Sequence, residues 1–146
     1  MSDPVVTASA LLVNESGQVL FGLRADWKKA WPGHWDAIGG RVEPDETPED
    51  AMKREVREET GVTPTEFLWL DCVPERRPDV YGDALHHVYA VTAWTGGVPE
   101  NVCDEHAEIR WFAPEELGAL TNLADIDYVR LAGAATRQRQ AVVSGG

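Results

Sequence analysis

Three glutamates, Glu55, Glu58 and Glu59, stand at i, i+3 and i+4 in a stretch that reads as a helix. At ~3.6 residues per turn they share one face. Like charges at that spacing repel, so the arrangement costs stability unless something offsets it. Lys53, Arg54 and Arg57 on the same helix could do so, which would make an ordinary solvated acidic face. A hard divalent cation is the other answer. Mg2+ takes carboxylate and water oxygens in near-octahedral geometry and keeps positions for substrate phosphates.

The helix that carries these acids has well-marked ends. Thr47 suits the N-cap, Pro48 the first helical position, and Asp50 can reach back as in a capping box. Gly61 suits a left-handed C-terminal cap, so the helix is expected over 48–60. Upstream, residues 5–13 (VVTASALLV) read as a strand, 14–17 as a turn and 18–24 as the return strand of a hairpin. Residues 25–35 read as an ordered loop rich in tryptophan, and Asp36-Ala37-Ile38 as a short strand running into Gly39-Gly40. Downstream, apolar runs at 65–73, 85–94 and 107–112 read as strands. A short helix is expected from Pro114 and a C-terminal helix over 123–135, with a loose tail from about 140. A mixed sheet with helices on its faces packs this order of elements, as one domain over 1–146.

The bulk numbers restrict the partners. Net charge is −12 and no dense run of Lys and Arg exists, which argues against long nucleic acid. A small anionic substrate is compatible if a cation offsets the charge locally. No stretch approaches the ~20 apolar residues needed to span a bilayer. Met1-Ser2-Asp3-Pro4 lacks the basic and apolar regions of a signal peptide. Cys72 and Cys103 show no metal-type pair spacing, and a reducing, cytoplasmic compartment is expected. Six tryptophans in a small chain suggest aromatic surface for an interface, and a homodimer is the expected assembly.

Gly40, Glu46, Arg54-Glu55-Val56, Glu58-Glu59 and Gly61-Val62 together resemble the signature of the MutT-like Nudix hydrolases. That signature is a glycine, five residues, Glu, seven residues, Arg-Glu, an aliphatic residue, any residue, Glu-Glu, any residue, Gly and an aliphatic residue. Every fixed position is filled. The approach Trp35–Gly40 and the stretch Glu105–Phe112 followed by Pro114–Leu117 are also similar to the family, so most of residues 5–118 fits. The resemblance implies an α/β (α+β) fold, the α/β/α sandwich with a mixed β-sheet. It implies an enzyme that uses Mg2+, or Mn2+ as a substitute, to cleave a phosphoanhydride in a nucleoside diphosphate-linked substrate.

On that resemblance, Glu55, Glu58 and Glu59 are metal ligands, with the Gly39 carbonyl a further donor. Arg54 orients the glutamates and Glu46 is its partner. The general base is Glu55, Glu58 or a later residue, with Glu105 (also a candidate ligand) ahead of Glu108. Arg24 is a phosphate contact or an ordinary exposed arginine, Trp31 and Trp35 are base-stacking candidates with plain packing the other reading of Trp35, and Asn122 is a base reader or a turn residue. His86 and His87 read as structural, whereas His34 and His106 lie near the site. Ala37 and Ile38 stand where relatives that sanitise oxidised nucleotides often have Phe-Pro, which weakens that particular activity. A nucleoside triphosphate pyrophosphohydrolase is the leading expectation, ahead of an ADP-ribose or nucleotide-sugar hydrolase. An isopentenyl diphosphate isomerase-like enzyme lacks its cysteine context here. A non-catalytic binding module would usually carry a damaged signature, and this one is intact.

Overall fold

The computed structural model describes residues 3–145; Met1 and Ser2, where the signal-peptide reading begins, and Gly146 lie outside the described residues. Among the described residues seven strands, β1 (Val5–Leu12), β2 (Val19–Arg24), β3 (Trp35–Asp36), β4 (Ile38–Arg41), β5 (Thr63–Pro74), β6 (Ala84–Thr95) and β7 (His106–Phe112), form two sheets. Their orders are β4-β1-β6-β5 and β3-β2-β7. β1 and β6 run parallel, and the other pairings are antiparallel. The helices are α1 (Pro48–Thr60), α2 (Pro78–Tyr81), α3 (Pro114–Leu117) and α4 (Asp127–Gly145).

The sandwich follows from alternation along β1. Ala8, Ala10 and Leu12 point to one side, where Ala51, Met52 and Val56 of α1 cover them. Leu11 and Val13 point to the other, where Leu131, Ala132 and Ala135 of α4 join Phe21, Trp35 and Phe112. A strand buried on both faces needs a nearly unbroken run of small and apolar residues, and VVTASALL is such a run.

Three expectations change. The hairpin of β1 and β2 closes only at its turn, with a lone bridge Val13–Val19. Beyond it the strands part into different sheets, because β1 is paired on both edges by β4 and β6. The short strand at 36–38 is two strands. Trp35 and Asp36 pair with β2, whereas Ile38 to Arg41 pair with β1, and the chain changes sheets at Ala37. The C-terminal helix starts later than 123 and replaces the loose tail. Asp125 Oδ1 accepts from the Asp127 N–H at 2.9 Å, and Leu123 is bridged to Trp35, which holds 123–126 out of the helix. The residues after 135 include Gln, Arg, Ala and Val with no proline, so nothing stops the helix.

α1 is placed as its end signals predict. Thr47 Oγ1 accepts from the Asp50 N–H at 3.1 Å, one arm of the expected box, and Gly61 adopts φ +81°. No helix among the described residues is long and apolar enough to cross a membrane. Leu131 of α4 packs in the core and is 1% exposed. Leu131→Ala should lower stability by about 2–5 kcal/mol. The check is urea unfolding, with a lower midpoint and an unchanged slope.

Candidate active site

The site grows from one conflict on α1. Its buried face runs through Ala51, Met52 and Val56 and then reaches Glu59 and Thr60. Glu59 is thus an acid at an apolar position, 1% exposed. Glu55 precedes it by one turn, and Glu105 comes from the residue before β7. One carboxylate oxygen from each lies within 4.8 Å of the other two. His106 Nε2 is hydrogen-bonded to Glu59 Oε1, while Glu59 Oε2 has no partner among the described residues. Burial, followed by the neighbouring Glu55 carboxylate, pushes the Glu59 carboxyl up to about 11. Such a group stays neutral unless a positive charge joins it. A hydrogen bond from Lys28 Nζ at 2.6 Å holds the Glu105 carboxyl below its usual range. Burial pushes the His106 imidazole down, toward its neutral form.

The expectation of one shared acidic face is corrected in part. Glu58 has 58% of its side chain exposed and stands at the mouth of the cleft, outside the close carboxylate group. A helix face of three residues spans a wide arc, and here the arc runs from core to solvent.

The glycine pair lets the acids approach the sheet. A Cβ on Gly40 would lie 2.6 Å from the Glu55 carboxyl carbon, and one on Gly39 would lie 2.3 Å from the Ala8 carbonyl oxygen. Any side chain at Gly40 would displace Glu55. Arg54 fixes the acids from outside. Its Nε and Nη2 donate to the two oxygens of Glu46 at 2.6 and 2.8 Å. Its Nη1 donates to Glu55 at 2.8 Å and to Glu58 at 3.3 Å. This forked guanidinium contact holds the Glu46 carboxyl down at about 2 and raises Arg54.

A cleft of about 590 Å³ opens beside the acids. Arg24 and Lys28 line it from the loop end of β2, Gly39 and Gly40 from β4, and Trp31 with Tyr81 forms an aromatic wall. The Trp31 and Tyr81 ring centroids are 5.0 Å apart. Trp31 is a non-glycine residue in the left-handed region, at φ +52°. Its indole N–H donates to the buried carboxylate of Glu75 at 3.1 Å. His86 Nε2 lies 3.2 Å from Glu75 Oε1, and Thr7 Oγ1 lies 2.6 Å from His86 Nδ1. A hydrogen-bonded chain thus runs from β1 through β6 to the aromatic wall.

Glu46, Arg54, Glu55, Glu59, Glu105, Gly39, Glu58, Arg24 and Trp31 therefore converge on one place. Trp35 does not. It is 5% exposed and packs edge-on against Phe112 at 5.0 Å, so its ring is spent on the core rather than on a base. Asn122 is also displaced from the cleft wall. Its side-chain amide donates to the Gly33 carbonyl and its own carbonyl accepts from the Trp35 N–H, which makes it a turn residue. Glu108 points to solvent and pairs with Arg110 at 3.1 Å. A bulge explains this: Arg24 pairs with His106 but Leu23 with Glu108, so Ala107 is an extra residue and the alternation resets.

Lys28, Asp36, Glu75, His86 and Asp125 also line the cleft, although sequence reasoning did not place them there. Asp36 accepts from the Tyr128 hydroxyl at 2.6 Å and faces Arg24 at 3.6 Å. The early histidine reading stands halfway, since His86 is structural in its bonds yet borders the cleft. The Thr7–His86 register was the missing signal, and it requires the parallel β1–β6 pairing to be known.

The NUDIX domain family matches residues 3–132. The nucleoside triphosphatase NudI of Salmonella agona is 34% identical over 116 residues, covering 73% of this chain and 80% of that protein. The CTP pyrophosphohydrolase of Escherichia coli is 30% identical over 113 residues, covering 77% and 78%. The crystal structure of a MutT NUDIX hydrolase from Burkholderia pseudomallei superposes with a TM-score of 0.75 at 28% identity, covering 90% of this chain and 96% of that one. If Arg54 and Glu46 only orient the acids, Glu46→Gln should reduce hydrolytic turnover by roughly 10- to 100-fold. Steady-state kinetics checks this, and circular dichroism should show an unchanged fold.

Proposed function

The chain belongs to the Nudix family of hydrolases, and on that premise we propose that it is a Mg2+-dependent nucleoside triphosphate pyrophosphohydrolase. The supporting observation is the orphaned oxygen of buried Glu59 within the Glu55–Glu59–Glu105 group. Oxygen donors of this kind suit a hard cation, with Mg2+ the first choice and Mn2+ a substitute. Glu55, Glu59 and Glu105 would hold it, with the Gly39 carbonyl and Glu58 as further donors. When bound, the ion would supply positive charge against the charge that develops on the phosphates.

The remaining roles fall to the chain itself. Arg24 and Lys28 meet the phosphates at the cleft wall. Arg54, held by Glu46, keeps Glu55 and Glu58 in place. Glu105, kept ionised by Lys28, is positioned to accept the proton of the attacking water, with Glu55 and Glu58 as the alternative carboxylates. In the reaction a bond forms between water oxygen and phosphorus while a bridging P–O bond breaks, releasing pyrophosphate and a nucleoside monophosphate. Trp31 offers a face on which any base can stack. The triphosphate reading is favoured over ADP-ribose or a nucleotide sugar by the two relatives, a nucleoside triphosphatase and a CTP pyrophosphohydrolase.

A substrate panel tests this. With Mg2+, nucleoside triphosphates should release pyrophosphate, EDTA should abolish turnover, and ADP-ribose, nucleotide sugars and dinucleoside polyphosphates should be poor. Faster cleavage of ADP-ribose would overturn the substrate assignment. A second measurement addresses the aromatic wall. Removing a hydrogen-bonded charge costs about 1.5–3 kcal/mol. Glu75→Ala should therefore raise KM for a nucleoside triphosphate roughly 10- to 100-fold and leave kcat nearly unchanged.

A further inference from the structure

Just before β7 the chain places a second set of donor atoms against Glu59. Glu59, Cys103 and His106 each offer one ligand atom, and these lie within 4.8 Å of one another. The set differs in kind from the three carboxylates. It combines a thiol, an imidazole and a carboxylate, which Mg2+ rejects and which Zn2+ and its neighbours select.

Backbone bonds hold this set in place. The Val102 N–H donates to the Glu59 carbonyl at 3.2 Å, and the Glu100 N–H donates to the Thr60 carbonyl at 3.1 Å. The Asn101 side-chain amide donates to the His106 carbonyl at 2.9 Å. The loop carrying Cys103 is thereby tied to the end of α1 and to the start of β7. Cys103 is a free, half-buried thiol whose Sγ lies 3.9 Å from Asn101 Oδ1. Glu59 and His106 are 1% and 5% exposed; the free His106 Nδ1 faces Gly22, whereas Glu59 Oε2 has no partner among the described residues. A buried carboxylate oxygen without a partner, grouped with an imidazole and a thiol, is a ligand set that ordinary packing does not explain.

We propose that Glu59, Cys103 and His106 form a site for a borderline-soft divalent cation, with Zn2+ the best match, and that filling it withdraws Glu59 from the acid cluster and stops hydrolysis. Binding replaces the proton shared between His106 and Glu59 and releases the thiol proton. Three protein ligands leave a fourth tetrahedral position to solvent. The inhibitory half rests on the acid cluster being the working metal site; the binding half does not.

The probes are Co2+ and Zn2+ added to metal-free full-length protein. Co2+ should produce a near-ultraviolet thiolate charge-transfer band that Cys103→Ser abolishes. Cys72→Ser, at the other free thiol, should keep the band. Zn2+ should displace the Co2+, whereas Mg2+ should not. In the hydrolysis assay Zn2+ should inhibit Mg2+-supported turnover. Cys103→Ser should need at least about tenfold more Zn2+, a change of about 1.4 kcal/mol in affinity, with basal turnover intact. Absence of the band, its survival in Cys103→Ser, or equal zinc sensitivity of the two proteins would overturn the proposal. If the wild-type protein cleaved no nucleotide, the proposed function would fail while the cobalt titration still decided the site.

Discussion

The burial of Glu59 is the constraint around which the rest of the site is arranged. An isolated charged carboxylate in an apolar setting costs far more than a small domain can spare. Here the position is dictated by the turn of α1, since Glu59 follows Met52 and Val56 on the face that packs on the sheet. His106 satisfies one oxygen and leaves the other without a partner. Room for the His106 ring is made by Gly22 on β2, where a Cβ would lie 2.5 Å from Nδ1. The bulge at Ala107 then turns His106 inward while Glu108 goes to solvent. A glycine, a bulge and a buried histidine on two strands thus answer to one acid on a helix. Local rules are broken together, which is how sites with a function depart from sites that only pack.

A second dependence runs through the sheets. The change of sheet at Ala37 delivers Gly39 and Gly40 to the edge of β1, opposite Ser9 and Ala8. There the backbone lies close enough to α1 for the Glu55 carboxylate to sit where a side chain would otherwise be. The same crossing leaves Asp36 on the other sheet, between Arg24 and Tyr128. One residue of chain therefore separates the wall of the cleft from its acidic head, and both are rigid because each half is paired in its own sheet.

Much of this was legible in the sequence because it is local. The cap residues of α1 and the apolar runs of β1 and β6 depend on neighbours a few positions away, and the limits of α1, β5, β6 and β7 came out within two residues of those expected. Helical spacing brought Glu55 and Glu59 together once the helix was known, and the family resemblance added Glu46 as the partner of Arg54. What depends on pairing was not legible. Trp35 and Trp31 are both tryptophans in one loop, yet one is core and the other lines the cleft. The difference lies in β3 pairing with β2, which no local signal announces. Glu75 and Thr7 are 68 positions apart and meet only through His86, in a register that requires two parallel strands to be aligned. Of the two readings of Asn122, the turn is the one its contacts fit, because its side-chain amide is spent on the Gly33 carbonyl.

The charges of the cleft bear on where catalytic power can come from. Three cations about the site are already engaged. Lys28 is on Glu105, Arg24 is on the Ala30 carbonyl and faces Asp36, and Arg54 is on Glu46, Glu55 and Glu58. A cation paired at 3–4 Å projects little net field on a third group, because its partner cancels most of it. The chain as a whole carries −12. The engaged cations therefore offer a triphosphate only part of the positive charge it needs, beside Lys29 and Arg41 of the cleft lining. A divalent cation held by the carboxylates would add positive charge where the acids stand. On this account the protein contributes acids in fixed positions, cations that keep those acids in place, and an aromatic wall. The magnesium proposal then accords with charge balance as well as with donor chemistry.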